Sequence, residues 1–400
     1  MKNKFAHLIF KAGHISIRRL ITVSSAFLVV GLTFSPSHAE KVWEPYINLY
    51  AIHDDNILFS TTEQEKEDDY IYNIEPGIKF DYHQELTRIT AEGLAQVRRY
   101  QENDELNNEV YRFNLGGASN VTERFRLDGS YRFIKDTTQD SELDETGRIF
   151  IREDRKSHEA NLTPRYNLTE LTSIGLQGRY RDVTYDSDAY VDYSYWGVSL
   201  PIWRRLATEV DTIFISPGYT NRDSETYRSD TYNMNIGWDH ETTERLTFKV
   251  SAGARYTELE NLDTKKKEDS WNGVGSLALS YDYEIGSVYI NFKKELANTA
   301  EGNQIDVSRV NLALKWNLTE RLGMGINGEY YYSQTEGEEN DDATEFFRVG
   351  PDLFYKITED HEVFVSYQYA QENQKNTDDE PRAERNRVWA GLRLHFPIHQ

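Results

Sequence analysis

Apolar and polar residues alternate with period two along most of the chain, and the helical period is nearly absent. In "YIYNIEPGIKFDY" one face carries Tyr70, Tyr72, Ile74, Pro76, Ile78, Phe80 and Tyr82, and the other Ile71, Asn73, Glu75, Gly77, Lys79 and Asp81. "FRLDGSYRF" sets Phe125, Leu127, Gly129, Tyr131 and Phe133 against Arg126, Asp128, Ser130 and Arg132. "LTFKVSAGARY", "RVNLALKWNL" and "FRVGPDLFYKI" repeat the pattern, apolar and aromatic on one side, polar and often charged on the other. A soluble sandwich also alternates, because one face of each sheet meets water. These runs, however, are about ten residues long, the length a tilted strand needs to cross a bilayer. Tyrosines gather near their ends, as in Tyr281/Tyr283, Tyr330/Tyr332 and Tyr367/Tyr369, where an interfacial girdle of a membrane barrel would lie.

Polar punctuation separates the runs. Short turns centre near Gln84, Glu123, Glu170, Arg204, Glu244, Ile285, Glu320 and Glu359, several of them written around Thr-Glu. Between them lie longer acidic connections, such as Asp54–Asp69, Lys135–Arg148 and Ser333–Glu345. Membrane barrels place short turns in the periplasm and long loops outside. Eight turns and nine loops predict an all-β fold: a transmembrane, antiparallel, up-and-down β-barrel of eighteen strands with both ends periplasmic. Sixteen strands is the alternative, since Pro201 and Pro217 interrupt Tyr193–Trp203 and Ala207–Tyr219. The last run, Val388–Phe396, ends on an aromatic residue and resembles the C-terminal signal by which outer-membrane barrels engage their assembly machinery, although Pro397–Gln400 extend past it.

Composition adds a compartment. Lys2, Lys4, Lys11, Arg18 and Arg19 precede the apolar stretch Leu20–Phe34 and the small-residue site Ser37-His38-Ala39. This is the layout of a cleaved secretory signal, so residues 1–39 are expected to be a leader and 40–400 an outer-membrane barrel domain, facing lipid and lipopolysaccharide. The leader takes five of the 45 Lys+Arg and none of the 67 Asp+Glu, leaving a net −27. That balance excludes nucleic acid as a partner. The absence of cysteine excludes thiol chemistry, disulfides and a lipidated N-terminal cysteine.

Barrels of sixteen to eighteen strands enclose a wide lumen. Turning the polar face of each clear strand inward predicts seventeen lumen cations against ten acids, although the chain as a whole is acidic. Arg98, Arg112, Arg126, Arg132, Arg165, Arg179, Arg181, Arg255, Arg309, Arg348 and Arg393 are the candidate solute contacts, their guanidinium forks suited to carboxylate, sulfate or sugar oxygens. The competing expectation is that these cations pair with lumen acids across strands and stiffen the wall.

Catalysis and cofactors find little support. "HDDN", His53–Asn56, has chemistry for activating water, but it falls where the first strand gives way to a loop, and Asp and Asn are ordinary turn formers. No G-x-S-x-G or H-E-x-x-H occurs, and "EGEENDD" lacks the order of a calcium loop. The reading is therefore a non-enzyme with no cofactor and no metal.

"WEPYINLYAIHDDNILFS" followed by "DDYIYNIEPGIKFDY" resembles the opening of the β-barrel porin 2 family of outer-membrane proteins. There an early strand ends in an acidic-Asp-Asn element, matched by Asp54, Asp55 and Asn56, and the next carries a Pro-Gly pair, matched by Pro76 and Gly77. The resemblance extends over nearly all of residues 40–400 and implies association with exopolysaccharide production or export, with no catalytic residues. The expected function is thus a passive conduit or accessory barrel for polysaccharide, with polysaccharide and export-system proteins as partners. A general or anion-selective diffusion porin for small solutes is the first alternative, and a structural or adhesive barrel with a blocked lumen the second.

Overall fold

One hydroxyl device turns the chain at four of the polar punctuation marks. In the computed structural model, which describes residues 40–147, 151–187, 189–243, 245–335, 343–375 and 381–399, the Thr319 hydroxyl accepts the N–H groups of Arg321 (3.2 Å) and Leu322 (2.9 Å). Thr122 does the same for Arg124 and Phe125, and Thr169 for Leu171 and Thr172, while Thr358 accepts from Asp360. In each turn the threonine N–H donates to the carbonyl three residues on. The hydroxyl thereby satisfies amides that the reversal takes out of the ladder. Thr319→Val keeps the branched shape and removes the acceptor. We expect it to cost about 1 kcal/mol in reversible unfolding from lipid with conductance unchanged; an unaltered unfolding midpoint would mean that water replaces the hydroxyl fully. The expected leader, the acidic stretch 336–342, the loop end Arg148 and the turn centre Glu244 lie outside the described residues.

Eighteen strands follow in chain order. They are β1 (Glu40–Asp54), β2 (Asp69–Gln84), β3 (Thr87–Tyr100), β4 (Asn108–Asn120), β5 (Phe125–Thr137) and β6 (Asp154–Asn167). β7 comprises Thr172–Gly175 and Gln177–Tyr185, and β8 comprises Tyr193–Ser199 and Ile202–Arg205. Then come β9 (Asp211–Ser224), β10 (Tyr227–Thr243), β11 (Leu246–Asn261), β12 (Lys267–Tyr283), β13 (Gly286–Asn298) and β14 (Gln304–Asn317). β15 (Leu322–Thr335), β16 (Ala343–Lys356), β17 (His361–Lys375) and β18 (Arg382–His395) complete the set. Every neighbour is antiparallel, and β18 pairs back onto β1 from Tyr46↔His395 to Asp54↔Arg387, closing the barrel. Eighteen is therefore the count. Pro201 interrupts β8 without ending it, whereas Pro217 sits inside a continuous β9.

Three details differ from expectation. Several strands exceed ten residues, reaching seventeen in β10 and β12, so the sheet continues beyond what a bilayer requires. The turn expected near Arg204 lies at 206–210, because Ile202–Arg205 resume pairing with β9 after the proline. Short and long connections do not alternate strictly either: β9 and β10 are joined by Glu225 and Thr226 alone. After Phe396 and Pro397, Ile398–His399 add a last pairing with Val42 and Trp43, which accounts for the tail beyond the terminal aromatic.

The alternation assigned from sequence holds on the outside. Ile74, Ile78, Phe113, Leu162, Ile236, Leu353 and Val388 are exposed, and a row of rings, Trp196, Tyr219, Tyr232, Tyr256 and Trp271, crosses five successive strands near the loop end. Inside, near the turns, aromatic rings lie over glycines of the neighbouring strand. A side chain on Gly77 would begin 2.3 Å from the Tyr46 ring, and one on Gly323 2.2 Å from Phe354. The Pro76-Gly77 pair thus has a packing reason: Tyr46 fills the space Gly77 leaves and donates its hydroxyl to Glu92 (3.0 Å).

Candidate functional site

The β5–β6 connection, read from sequence as an acidic surface loop, instead folds into a helix against inward-facing groups from distant strands. α1 (Thr138–Glu145) starts at Thr137, which donates its N–H (3.4 Å) and hydroxyl (2.9 Å) to the Asp140 carboxylate. This Thr-x-x-acid spacing is a capping signature. Asp140 pairs with Arg98 of β3. Glu142, fully buried, meets Arg155 of β6 (3.2 Å) and accepts from Tyr185 of β7 (2.8 Å). Glu145 accepts at both oxygens from Arg181 of β7 (2.7 Å each) and from Arg155 (3.1 Å). The opposite wall holds the main chain. Arg309 of β14 donates to the Glu145 carbonyl (2.8 Å), and the Tyr331 hydroxyl of β15 to the Leu143 carbonyl (3.1 Å). Leu143 packs with Phe59, Ile305, Val307, Tyr331, Phe346, Ala370 and Ala383.

A glutamate at a helix C-terminus opposes the helix dipole; here three arginines offset it. Burial alone would raise the Asp140 carboxyl, but Arg98 and Thr137 hold it at about 2. For Glu145 burial acts the same way and is outweighed by Arg155 and Arg181, again giving about 2, whereas burial pushes Glu142 up.

Beside the C-terminal end of the helix, β6–β14 enclose a cavity of about 790 Å³. Its lining includes seven cations, Arg179, Arg181, Arg222, Arg255, Lys293, Lys294 and Arg309, against two acids, Glu145 and Glu295. On its loop side, strands and loops that are not neighbours in the sheet touch. Gln304 of β14 donates to Ser229 of β10 (2.6 Å), Arg255 of β11 pairs with Asp306 of β14 (2.8 Å), and the Val191 N–H meets the Ala300 carbonyl (2.9 Å). These contacts draw the wall together toward the loop end of the cavity.

The eleven candidate arginines all lie on the face opposite the exposed apolar band, but they are not one site. Arg98 and Arg181 hold the helix; Arg309 does so while also pairing with Glu329, which Arg348 shares. Arg126 pairs with Asp128 and Arg393 with Glu362, both nearer the turn end. Arg132 donates to Asn114, and Arg165 donates to Ser173 (2.8 Å) while lying 4.5 Å from the Trp203 ring. Arg112 stands on the inward face of β4. Arg179, Arg181, Arg255 and Arg309 line the cavity. The expected surplus of wall cations is thus partly cancelled, because the acids of α1 point inward and went uncounted. Sequence reasoning also missed Arg155, the 1 % exposed anchor of the helix, and Arg222.

His53–Asn56 serves closure. Asp54 pairs with Arg387, Asp55 accepts the N–H (2.6 Å) and side-chain amide (2.7 Å) of Asn386, and Asn56 donates to the Glu384 carbonyl (2.8 Å). The acidic-Asp-Asn element therefore clasps the first strand to the last. Among the described residues no group of three or more His, Asp or Glu is placed to hold a metal.

A sheet closed on itself, apolar outside and polar within, is how strands cross a bilayer. The chain has the build of an outer-membrane β-barrel. Residues 231–389, from β10 into β18 and less than half of the chain, match the family described as "Putative MetA-pathway of phenol degradation", in place of the porin 2 family suggested by the opening motifs. No curated protein matches. Solved structures similar to this chain include OccAB3 of Acinetobacter baumannii (11 % identity, TM-score 0.44, covering 90 % of this chain and 99 % of that one). OccK2 of Pseudomonas aeruginosa, solved with glucuronate, has 10 % identity, TM-score 0.45 and coverages of 90 % and 98 %. The E. coli ferric-catecholate receptor Fiu has 11 % identity, TM-score 0.40 and coverages of 90 % and 82 %. Likenesses this distant carry nothing about cargo, and none of the comparisons points to polysaccharide export.

Proposed function

We propose that this barrel is a channel for small hydrophilic anions, which pass through the basic cavity beside α1. The observation that carries this reading is the cavity lining, seven cations to two acids in a protein whose net charge is negative. Such a lining concentrates anions and repels cations at close range. The polysaccharide conduit expected from the opening motifs fits poorly: α1 lies across the lumen and the wall is drawn in at the loop end, and both narrow the bore a polymer would need.

Planar-bilayer recording of the refolded barrel under a potassium chloride gradient tests this. The reversal potential is expected to lie on the chloride side, and Arg222→Glu with Lys293→Glu to move it toward potassium. Cation selectivity in the unmodified barrel, or no conductance at all, would overturn the proposal.

A further inference from the structure

The cavity is tiered, and its tiers narrow the class of solute. Cross-strand register places Tyr195 of β8 between Arg181 of β7 and Arg222 of β9, and Gly197 between Arg179 and Thr220. The Arg179 and Arg222 guanidinium groups lie 5.2 and 5.4 Å from the centre of the same Tyr195 ring. Gly197 contributes no side chain between them, and a Cβ there would come within 2.8 Å of the Thr220 hydroxyl. Two forked donors and a hydroxyl therefore gather around a bare stretch of backbone. Arg179 shares its charge with Glu159 (3.3 Å). Arg222 makes no ion pair among the described residues; its hydrogen bond is to the neutral Thr231 hydroxyl (3.3 Å). It is the cation of this tier that lacks an acid of its own.

Nearer the turns the lining changes character. Ser199, Ser216, Asn235, Ser251 and Ser276 come from β8 to β12, with Ser216 opposite Asn235 and Ser251 opposite Ser276. These are uncharged groups able both to donate and to accept. Gly197 and Ser199 are two residues apart on one strand, about 7 Å at the rise of a strand. A ligand with its anionic end over Gly197 would extend its body along hydroxyls and an amide.

We propose that the Arg179–Tyr195–Arg222 tier is a carboxylate subsite, and that the solute it serves is a hydroxylated acid of about six carbons, an open-chain or cyclic sugar acid. The inference rests on the anion-channel reading above and adds the seat and the chemical class. The carboxylate takes paired N–H donors from Arg222 and Arg179, as forked guanidinium groups prefer. The hydroxyls exchange water for the serine and asparagine tier, where a purely apolar tail would leave those groups unpaired.

Blockade of chloride current in single barrels tests it with three probes: gluconate, hexanoate with the same carbon number and no hydroxyls, and glucose with no charge. Gluconate is expected to block at concentrations about tenfold below hexanoate, and glucose weakly. Arg222→Gln should weaken gluconate block about tenfold, and Arg222→Lys less. Ser216→Ala with Asn235→Leu should weaken gluconate and leave hexanoate unchanged. Heat-modifiable migration on gels confirms that each variant is folded. Equal block by hexanoate and gluconate overturns the hydroxyl tier, and unaltered gluconate block in Arg222→Gln overturns the seat; both leave the channel reading intact. Loss of anion preference in the unmodified barrel overturns both.

Discussion

Replacing Arg155 by methionine is expected to release α1 from the wall and raise single-channel conductance severalfold. Arg155 is 1 % exposed and stands between Glu142 (3.2 Å), Glu145 (3.1 Å) and Asp136 (3.8 Å). Removing one member of a buried ionic cluster costs about 3–5 kcal/mol, because the remaining charges stay desolvated without a partner. That is a large penalty for an eight-residue helix otherwise held by Leu143, the Asp140–Arg98 and Glu145–Arg181 pairs, the Tyr185 hydroxyl on Glu142 and two donors to its carbonyls. The double variant Glu142→Met, Arg155→Met removes both charges and should restore much of the docking. Acid should act as the single variant does, at a defined point. Asp140 and Glu145 are held at about 2 when docked, below the ordinary carboxylate range, so their contribution is fully present above that range and is lost as pH falls through about 2. Their share of the docking therefore predicts steady conductance on mild acidification and a steep rise only as pH approaches 2. Wild-type conductance in Arg155→Met at neutral pH would show that the helix does not limit the current.

The strands and turns were legible because their signals are local. Period two assigns a face wherever one side is apolar, as in Tyr70–Tyr82, and a threonine that caps its own turn needs no distant partner. The lumen helix was hidden because its stabilising partners, Arg98, Arg155, Arg181, Arg309 and Tyr331, come from strands far away in sequence. Apart from Leu143 its residues are polar, so "TQDSELDE" has no apolar stripe to announce it. The Thr137–Asp140 spacing was the one local clue. Arg155 and Arg222 escaped for a related reason. "DRKSHEA" and "GYTNRDS" are polar on both faces at the loop ends of their strands, so alternation there cannot say which side faces in. The candidate arginines lie opposite the exposed apolar band, while the division of labour among them depends on an inserted helix that strand periodicity does not contain.

Bridging β10 to β14 with a covalent strut is expected to suppress conductance by more than half, and cutting the natural strut to raise it. Ser229 and Gln304 are joined by a 2.6 Å hydrogen bond, and Arg255 and Asp306 by a 2.8 Å ion pair, although β11, β12 and β13 lie between β10 and β14 in the sheet. A barrel wall does not bring such strands together unless it bends inward, so a route through the cavity to the loop end requires these contacts to part. Arg255 belongs to both the cavity lining and the strut, so an anion entering the cavity would compete with Asp306 for it. The chain has no cysteine, so Ser229→Cys with Gln304→Cys presents the only two thiols. A short bifunctional thiosulfonate should lock the wall and lower the current, and reduction should restore it. Asp306→Asn removes the ion pair at nearly constant shape and should lengthen the open state, most of all when chloride is low and competing anion scarce. Full conductance with the bridge in place would remove the strut from the permeation route, leaving the passage to run on the far side of α1, where Arg155→Met has its effect.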